Sequence, residues 1–179
     1  MTAIYIQYLM NLKMIAVVAF SLFFFRRSEA STPSAGSSAS FHPPVNPLVL
    51  RNDSKGLGHF GAPRGKRKHK GLDFVAQPGQ SIFSPIDGII QRRANPYAND
   101  SRFTGCLIIG TGRHVSYSVK LFYMQPVAIG ISVSAGDYIG KGQEISKKWG
   151  KEMLDHLHME VYYNSRLIDP TNLFHYQNS

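Results

Sequence analysis

Two histidines separated by a single residue head the run His156-Leu-His-Met-Glu-Val-Tyr-Tyr163. If the run is a strand, alternate side chains share a face. His156, His158 and Glu160 then lie on one side, and Leu157, Met159 and Val161 on the other. At the usual rise per residue the two histidines stand about 6.6 Å apart along the strand. That is close enough for one to hold a metal ion while the other acts beside it. The plainer reading of this stretch alone is a pair of histidines on a polar sheet face.

A second pair of ligating types, His69 and Asp73, brackets Lys70-Gly71-Leu72. On a straight strand they would be about 13 Å apart, too far to meet at one ion. A helix would bring them together, but Gly71 and the β-type residues after Leu72 argue against one. If both bind one metal, the chain bends between them, and Gly71 is the residue that allows it. The expectation is that His69 lies off the strand that carries Asp73. The candidate set is then His69, Asp73 and one histidine of the 156/158 pair. Two histidines and a carboxylate leave the fourth tetrahedral position to water, the pattern of a catalytic-type zinc site. His-Glu-x-x-His is absent, which excludes the helical zincin arrangement.

The elements that must position these groups read as all-β. Gln77–Gln80 is a turn, and Ser81–Ser84 and Gly88–Gln91 are short strands. Ala94–Thr104 is a polar loop, and Cys106–Ile109 is an apolar strand. From His114 to Tyr123 the alternation is cleanest, with Val115, Tyr117, Val119, Leu121 and Tyr123 on one face. Asp137–Ile139 is a short strand, and Lys147–Leu154 holds at most a helical turn. No long amphipathic helix and no long repeat is present. Short strands with glycine turns predict an antiparallel sandwich or open barrel.

At the N-terminus Lys13 precedes the apolar run Met14–Phe25, which is followed by Ser28-Glu-Ala30. A bilayer span needs about 20 apolar residues, so the short run reads as a signal peptide over residues 1–30, with Arg26 and Arg27 before the cut as an unusual feature. The Ser/Ala/Gly/Pro-rich stretch 31–47 reads as a flexible linker, and 48–179 as the folded domain. The protein is therefore expected outside the cell, without stable membrane insertion. The full chain carries 20 basic and 11 acidic side chains. Removing residues 1–30 leaves it basic, which favours anionic partners. Cys106 is the only cysteine, so neither a disulfide scaffold nor a cysteine zinc cage can form. Two sequons, at Asn52 and Asn99, are candidate glycan acceptors. The cluster Arg64, Lys66, Arg67, Lys68 and Lys70 reads as a solvated loop or a polyanion patch. With an export signal upstream, no nucleic-acid partner is expected.

His69-Lys-Gly-Leu-Asp73 and His156-Leu-His158, in that order, resemble the two zinc motifs of the lysostaphin-type (M23) metallopeptidases. Gly79-x-x-Ile82-x-Ser84-Pro85-x-x-Gly88 resembles that family's first hairpin, and Gly136-Asp-Tyr-Ile-Gly140 its glycine-punctuated segment. The resemblance covers roughly residues 58–174. It implies the M23 fold, Zn2+ as cofactor with His69, Asp73 and His158 as ligands, and His156 as the catalytic histidine. Active M23 peptidases carry a further histidine two residues after a strand tyrosine; counted from Tyr123, that position is Gln125. Gln125 can donate a hydrogen bond but cannot shuttle a proton. The segments Asn95-Pro-Tyr97, Val119–Met124 and Asp169-Pro-Thr171 resemble a secreted signalling branch of the family that binds zinc without proteolysis. Members of that branch are disulfide-bonded, which this chain cannot be. The resemblance thus implies a secreted, zinc-binding, non-proteolytic protein acting on a cell-surface receptor or anionic glycan. The alternative is an active zinc endopeptidase on glycine-rich or peptidoglycan cross-bridge peptides.

Overall fold

Alternation of apolar and polar side chains sets the strands, and glycine and proline end them. The computed structural model describes residues 39–175 together with 177 and 178. In chain order the strands are β1 (Val49–Leu50), β2 (Asn52–Asp53), β3 (Gly56–Leu57), β4 (Pro63–Arg64), β5 (Arg67–Lys68), β6 (Leu72–Val75), β7 (Ser81–Phe83), β8 (Gly88–Ala94), β9 (Gly105–Gly110), β10 (Tyr117–Phe122), β11 (Met124–Pro126), β12 (Ser132–Val133), β13 (Tyr138–Gly142), β14 (His156–Tyr163), β15 (Arg166–Ile168) and β16 (Gln177–Asn178). The one α-helical turn among the described residues is α1 (Ser146–Trp149). The all-β reading holds.

A nine-stranded sheet runs β12-β8-β9-β10-β14-β6-β1-β16, with β15 also on β14. Only the β1–β16 pair is parallel. β6 and β15 share one edge of β14, β6 pairing His156–Met159 and β15 pairing Val161–Tyr163. A three-stranded sheet, β11-β13-β7, contributes Met124, Ile139 and Ile82 to the same core as Leu72, Phe74, Leu121, Leu157 and Met159. The inward face of β14 is thus Leu157, Met159 and Val161, all fully buried.

Register then places the polar face. Asp73 on β6 lies opposite His158 on β14, and Phe122 on β10 lies opposite it on the other side. A one-residue slip would turn Asp73 into the apolar core. Gly71 enables the approach, though not by its backbone angle. A Cβ there would stand 2.1 Å from the Met159 carbonyl oxygen, so only glycine lets the two backbones come this close.

Three expectations are corrected. The compact unit begins before Leu48: Val45 is fully buried, Phe41 packs on the core, and the Phe83 amide donates to the Pro44 carbonyl at 2.9 Å. The described part of the stretch read as linker, 39–47, is tied down because its few apolar residues find the core. The expected 114–123 strand is shorter, since Gly112–His114 form a 3-10 turn and β10 starts at Tyr117. Val115 is accordingly exposed, not inward. The third correction concerns Gln125 and belongs to the site. The signal-peptide reading of residues 1–30 lies outside the described residues. Among those described, no helix is long and apolar enough to cross a membrane.

Candidate metal centre

His69 follows the β4–β5 hairpin and lies off β6, as the spacing demanded. Its backbone is clamped by the 59–62 loop: its amide donates to the Ala62 carbonyl at 2.8 Å, and its carbonyl accepts from Gly61 at 2.9 Å. Its Nδ1 lies 2.8 Å from the His59 carbonyl, so Nδ1 carries the proton and Nε2 presents a lone pair. That lone pair meets Asp73 Oδ1 at 3.0 Å and His158 Nδ1 at 3.0 Å. His158 Nδ1 lies 2.8 Å from the same Asp73 oxygen. The other nitrogen of His158 faces Glu160 Oε1 at 3.6 Å.

Three atoms that all carry lone pairs therefore converge on one point. Bonds of about 2.0–2.1 Å to a tetrahedral zinc would set such atoms about 3.3 Å apart, within half an ångström of what is found. Two anchored imidazoles and a buried carboxylate make the nitrogen and oxygen donor set that suits zinc, with each imidazole held from behind. Without a cation, a proton must fill the role. Burial disfavours charge on His158, yet its hydrogen bond to Asp73 and the nearby Glu160 carboxylate outweigh this and raise its pKa to about 9. Burial likewise opposes the Asp73 carboxylate, but the surrounding histidines, His156 and His158 foremost, hold its pKa well below the usual range.

Asp73 divides its two oxygens. Oδ1 faces the histidines, while Oδ2 accepts from Arg51 at 3.1 Å and from Arg64 at 3.3 Å. Arg51, nearly fully buried, also pairs with Asp53 at 2.7 Å. Nothing in the sequence singled out Arg51; its one signal is a charged residue directly after the apolar pair Val49-Leu50. Glu160 was placed on the histidine face without a role. Its Oε2 accepts from Lys120 at 2.9 Å and from the Tyr162 hydroxyl at 2.5 Å. Burial opposes ionisation of Glu160, but hydrogen bonds from His158, Tyr162 and Lys120 bring its pKa down to about 2.

His156 sits beside this triangle. Its Nδ1 donates to the Leu154 carbonyl at 2.7 Å, and its Nε2 stands 3.9 Å from Asp73 Oδ1. Burial lowers its pKa, against the pull of Asp73, so it presents a neutral lone pair to the same space. A groove of ≈ 560 Å³ opens over the four residues.

The sequence profile of Peptidase family M23 matches residues 67–170. The chain belongs to the M23 family. This M23 chain is 30% identical over 120 residues to leukocyte cell-derived chemotaxin-2 of Mus musculus, covering 66% of the chain and 74% of the mouse protein. It is 30% identical over 124 residues to myeloid protein 1 of Gallus gallus, of which it spans only 36%. Among solved structures, lysostaphin superposes with a TM-score of 0.52 at 22% identity, over 75% of this chain and 52% of that one. A zinc containing peptidase from Vibrio cholerae gives 0.51 at 24% identity, over 74% of this chain and 39% of that one. At those identities the likeness to the solved structures concerns the fold.

Gln125 does not stand where the M23 pattern led us to expect. It is exposed on β11, with the Thr104 hydroxyl 3.5 Å from its Oε1, and it does not line the groove. The residue facing His156 is Tyr123, their ring centroids 5.1 Å apart. Tyr123 has φ of +63° at the point where the chain leaves the large sheet (β10) for the small one (β11). That break resets the alternation, so Tyr123 faces the groove and Gln125 faces out. Burial, with a hydrogen bond to Tyr97, pushes the Tyr123 phenol pKa up, so it stays a protonated donor. His114 does not line the groove. Within the basic cluster Arg64 turns in to Asp73, Arg67, Lys68 and Lys70 line the groove, and Lys66 is exposed. Both sequon asparagines, Asn52 and Asn99, are exposed.

Proposed function

We propose that this chain is an extracellular zinc-binding protein that uses the M23 fold to bind and signal, not to cut. One observation carries the reading: His69, Asp73 and His158 aim unshared electron pairs at one another, while the group opposite His156 is a phenol. Zinc bound there would polarise a carbonyl and lower the pKa of a water to about 7. His69 would be oriented by the His59 carbonyl, His158 by Glu160, and Asp73 by Arg51 and Arg64. His156 is a neutral base beside the site. The M23 pattern pairs such a base with a second histidine, and an acid/base group of this kind, which trades protons near neutral pH, is typically worth about 10²–10⁴-fold in rate. Tyr123, with a pKa above the ordinary value of about 10, holds its proton too tightly for that trade. It can donate a hydrogen bond to a bound oxygen. The similarity to leukocyte cell-derived chemotaxin-2 supports a signalling role, and the basic, short-leader N-terminal reading supports secretion.

The reading is tested on the purified full chain. About one equivalent of zinc is expected, together with no cleavage of peptidoglycan or pentaglycine. Chelator-sensitive cleavage of either would sink the non-proteolytic part. Less than about half an equivalent of zinc, with no recovery on reloading, would sink the metal part. Secretion is checked by sequencing the N-terminus of protein recovered from the medium of expressing cells; a start near residue 31 is expected. An active endopeptidase remains the second reading, favoured by the retained His156 with its lone pair on the groove.

A further inference from the structure

Lys66, Arg67, Lys68 and Lys70 have no ion-pair partner among the described residues, although the chain supplies acids elsewhere for Arg51, Lys120 and Lys148. Three of these four, Arg67, Lys68 and Lys70, line the groove. Uncompensated like charges side by side repel one another, and an anionic occupant relieves that repulsion. Aromatic side chains line the groove as well. Trp149 and Tyr97 lie there with ring centroids 6.3 Å apart. The indole N–H of Trp149 donates to the Tyr97 hydroxyl at 2.8 Å, and that hydroxyl is 3.2 Å from the Tyr123 hydroxyl. Lys148 lies 4.3 Å from the Tyr97 ring centroid with its charge neutralised by Asp100 at 2.8 Å. The polar atom of Trp149 is therefore spent within the protein, yet 48% of the residue remains exposed. What it offers is a ring face held still.

We propose that this groove binds a sulfated polysaccharide chain, its sulfates against Arg67, Lys68 and Lys70 and a sugar ring stacked on Trp149. A run of acidic residues would answer the charges but has no flat C–H face for the tryptophan. A small inorganic anion would leave most of the groove unfilled. The polysaccharide answers both the charges and the aromatic surface. The groove volume suits a segment of a few sugars, within the range of about 300–1,000 Å³ usual for ligand sites. The inference goes beyond the zinc reading and does not depend on it, since none of these side chains is among the three converging on the metal point.

Trp149 is the only tryptophan in the chain, so its fluorescence reports on the stacked position directly. The full chain is titrated with a size-defined heparin octasaccharide, with its chemically desulfated counterpart, and with an oligoglutamate of equal charge. The octasaccharide is expected to shift or quench Trp149 emission saturably, with affinity falling as salt rises, and the other two to leave it unchanged. Trp149→Ala, followed by calorimetry, weakens binding by about tenfold, as loss of a buried aromatic anchor does, and Trp149→Phe restores most of it. Arg67→Ala/Lys68→Ala/Lys70→Ala weakens binding further and flattens the salt dependence. Melting curves and zinc content of each variant are measured in parallel. A protein without zinc that still binds the octasaccharide would fail the metal reading alone. The proposal is overturned by octasaccharide binding without any change in Trp149 emission, by equal quenching with oligoglutamate, or by no octasaccharide binding.

Discussion

The chain buries histidines in two regions and uses them in opposite ways. His114, fully buried, spends both nitrogens on the main chain. Its Nδ1 accepts from the Asp87 amide at 3.1 Å, and its Nε2 donates to the Ser40 carbonyl at 3.1 Å. It pins residue 40 to the Asp87 turn and leaves nothing to offer a ligand. His69, His156 and His158 each spend one nitrogen on a carbonyl or carboxylate and keep the other aimed at the space around Asp73 Oδ1. Burial does not separate the two classes. Donor and acceptor accounting does, because a lone pair facing another lone pair requires a cation between them.

His158→Ala against His114→Ala breaks or sharpens that contrast most. The first is expected to lower zinc affinity by more than about 100-fold, beyond what loss of a supporting residue costs, as read by metal analysis and competition with a chromophoric chelator. The second keeps its zinc and instead loses about 1–3 kcal/mol of stability, from the polar groups left unpaired. Equal zinc loss in both would erase the distinction. Next in size is chelation. With free zinc at about a thousand times its Kd, metal adds about 4 kcal/mol to stability. Melting curves should therefore fall on chelator treatment and recover on reloading, except in His158→Ala. Gly71→Ala, which pushes a methyl against the Met159 carbonyl, should cost about 1–3 kcal/mol as overpacking does and disturb zinc binding with it. His156→Ala is milder, retaining its metal within about tenfold, because its nitrogen is outside the close triangle. Cys106 marks the quiet end. Burial pushes its thiol up to about 12, so a thiol reagent at neutral pH should react only after denaturant is added.

Much of the site was legible because it is built from local motifs on regular strands. His156 and His158 share a face by simple alternation, and the bend between His69 and Asp73 followed from distance alone. What stayed hidden depends on contacts between distant segments. Arg51 reaches Asp73 from between two strands of two residues each, too short to give a pattern. Tyr123 reaches the groove only through a positive φ, which no alternation rule anticipates, so counting two residues from a tyrosine led to Gln125 on the wrong face. The start of the folded unit was misplaced for a related reason. Phe41 and Val45 are isolated apolar residues in a polar stretch, and only the finished core shows what they cover.

Gly71 gives position 71 an unusual status. In the pattern His-x-x-x-Asp it is a free letter, since neither its side chain nor its charge enters the chemistry. Its neighbour across the sheet makes it one of the least free letters in the chain. A variant catalogue sorted by distance from ligating atoms would pass over it. One sorted by backbone-to-backbone clearance would place it near the top.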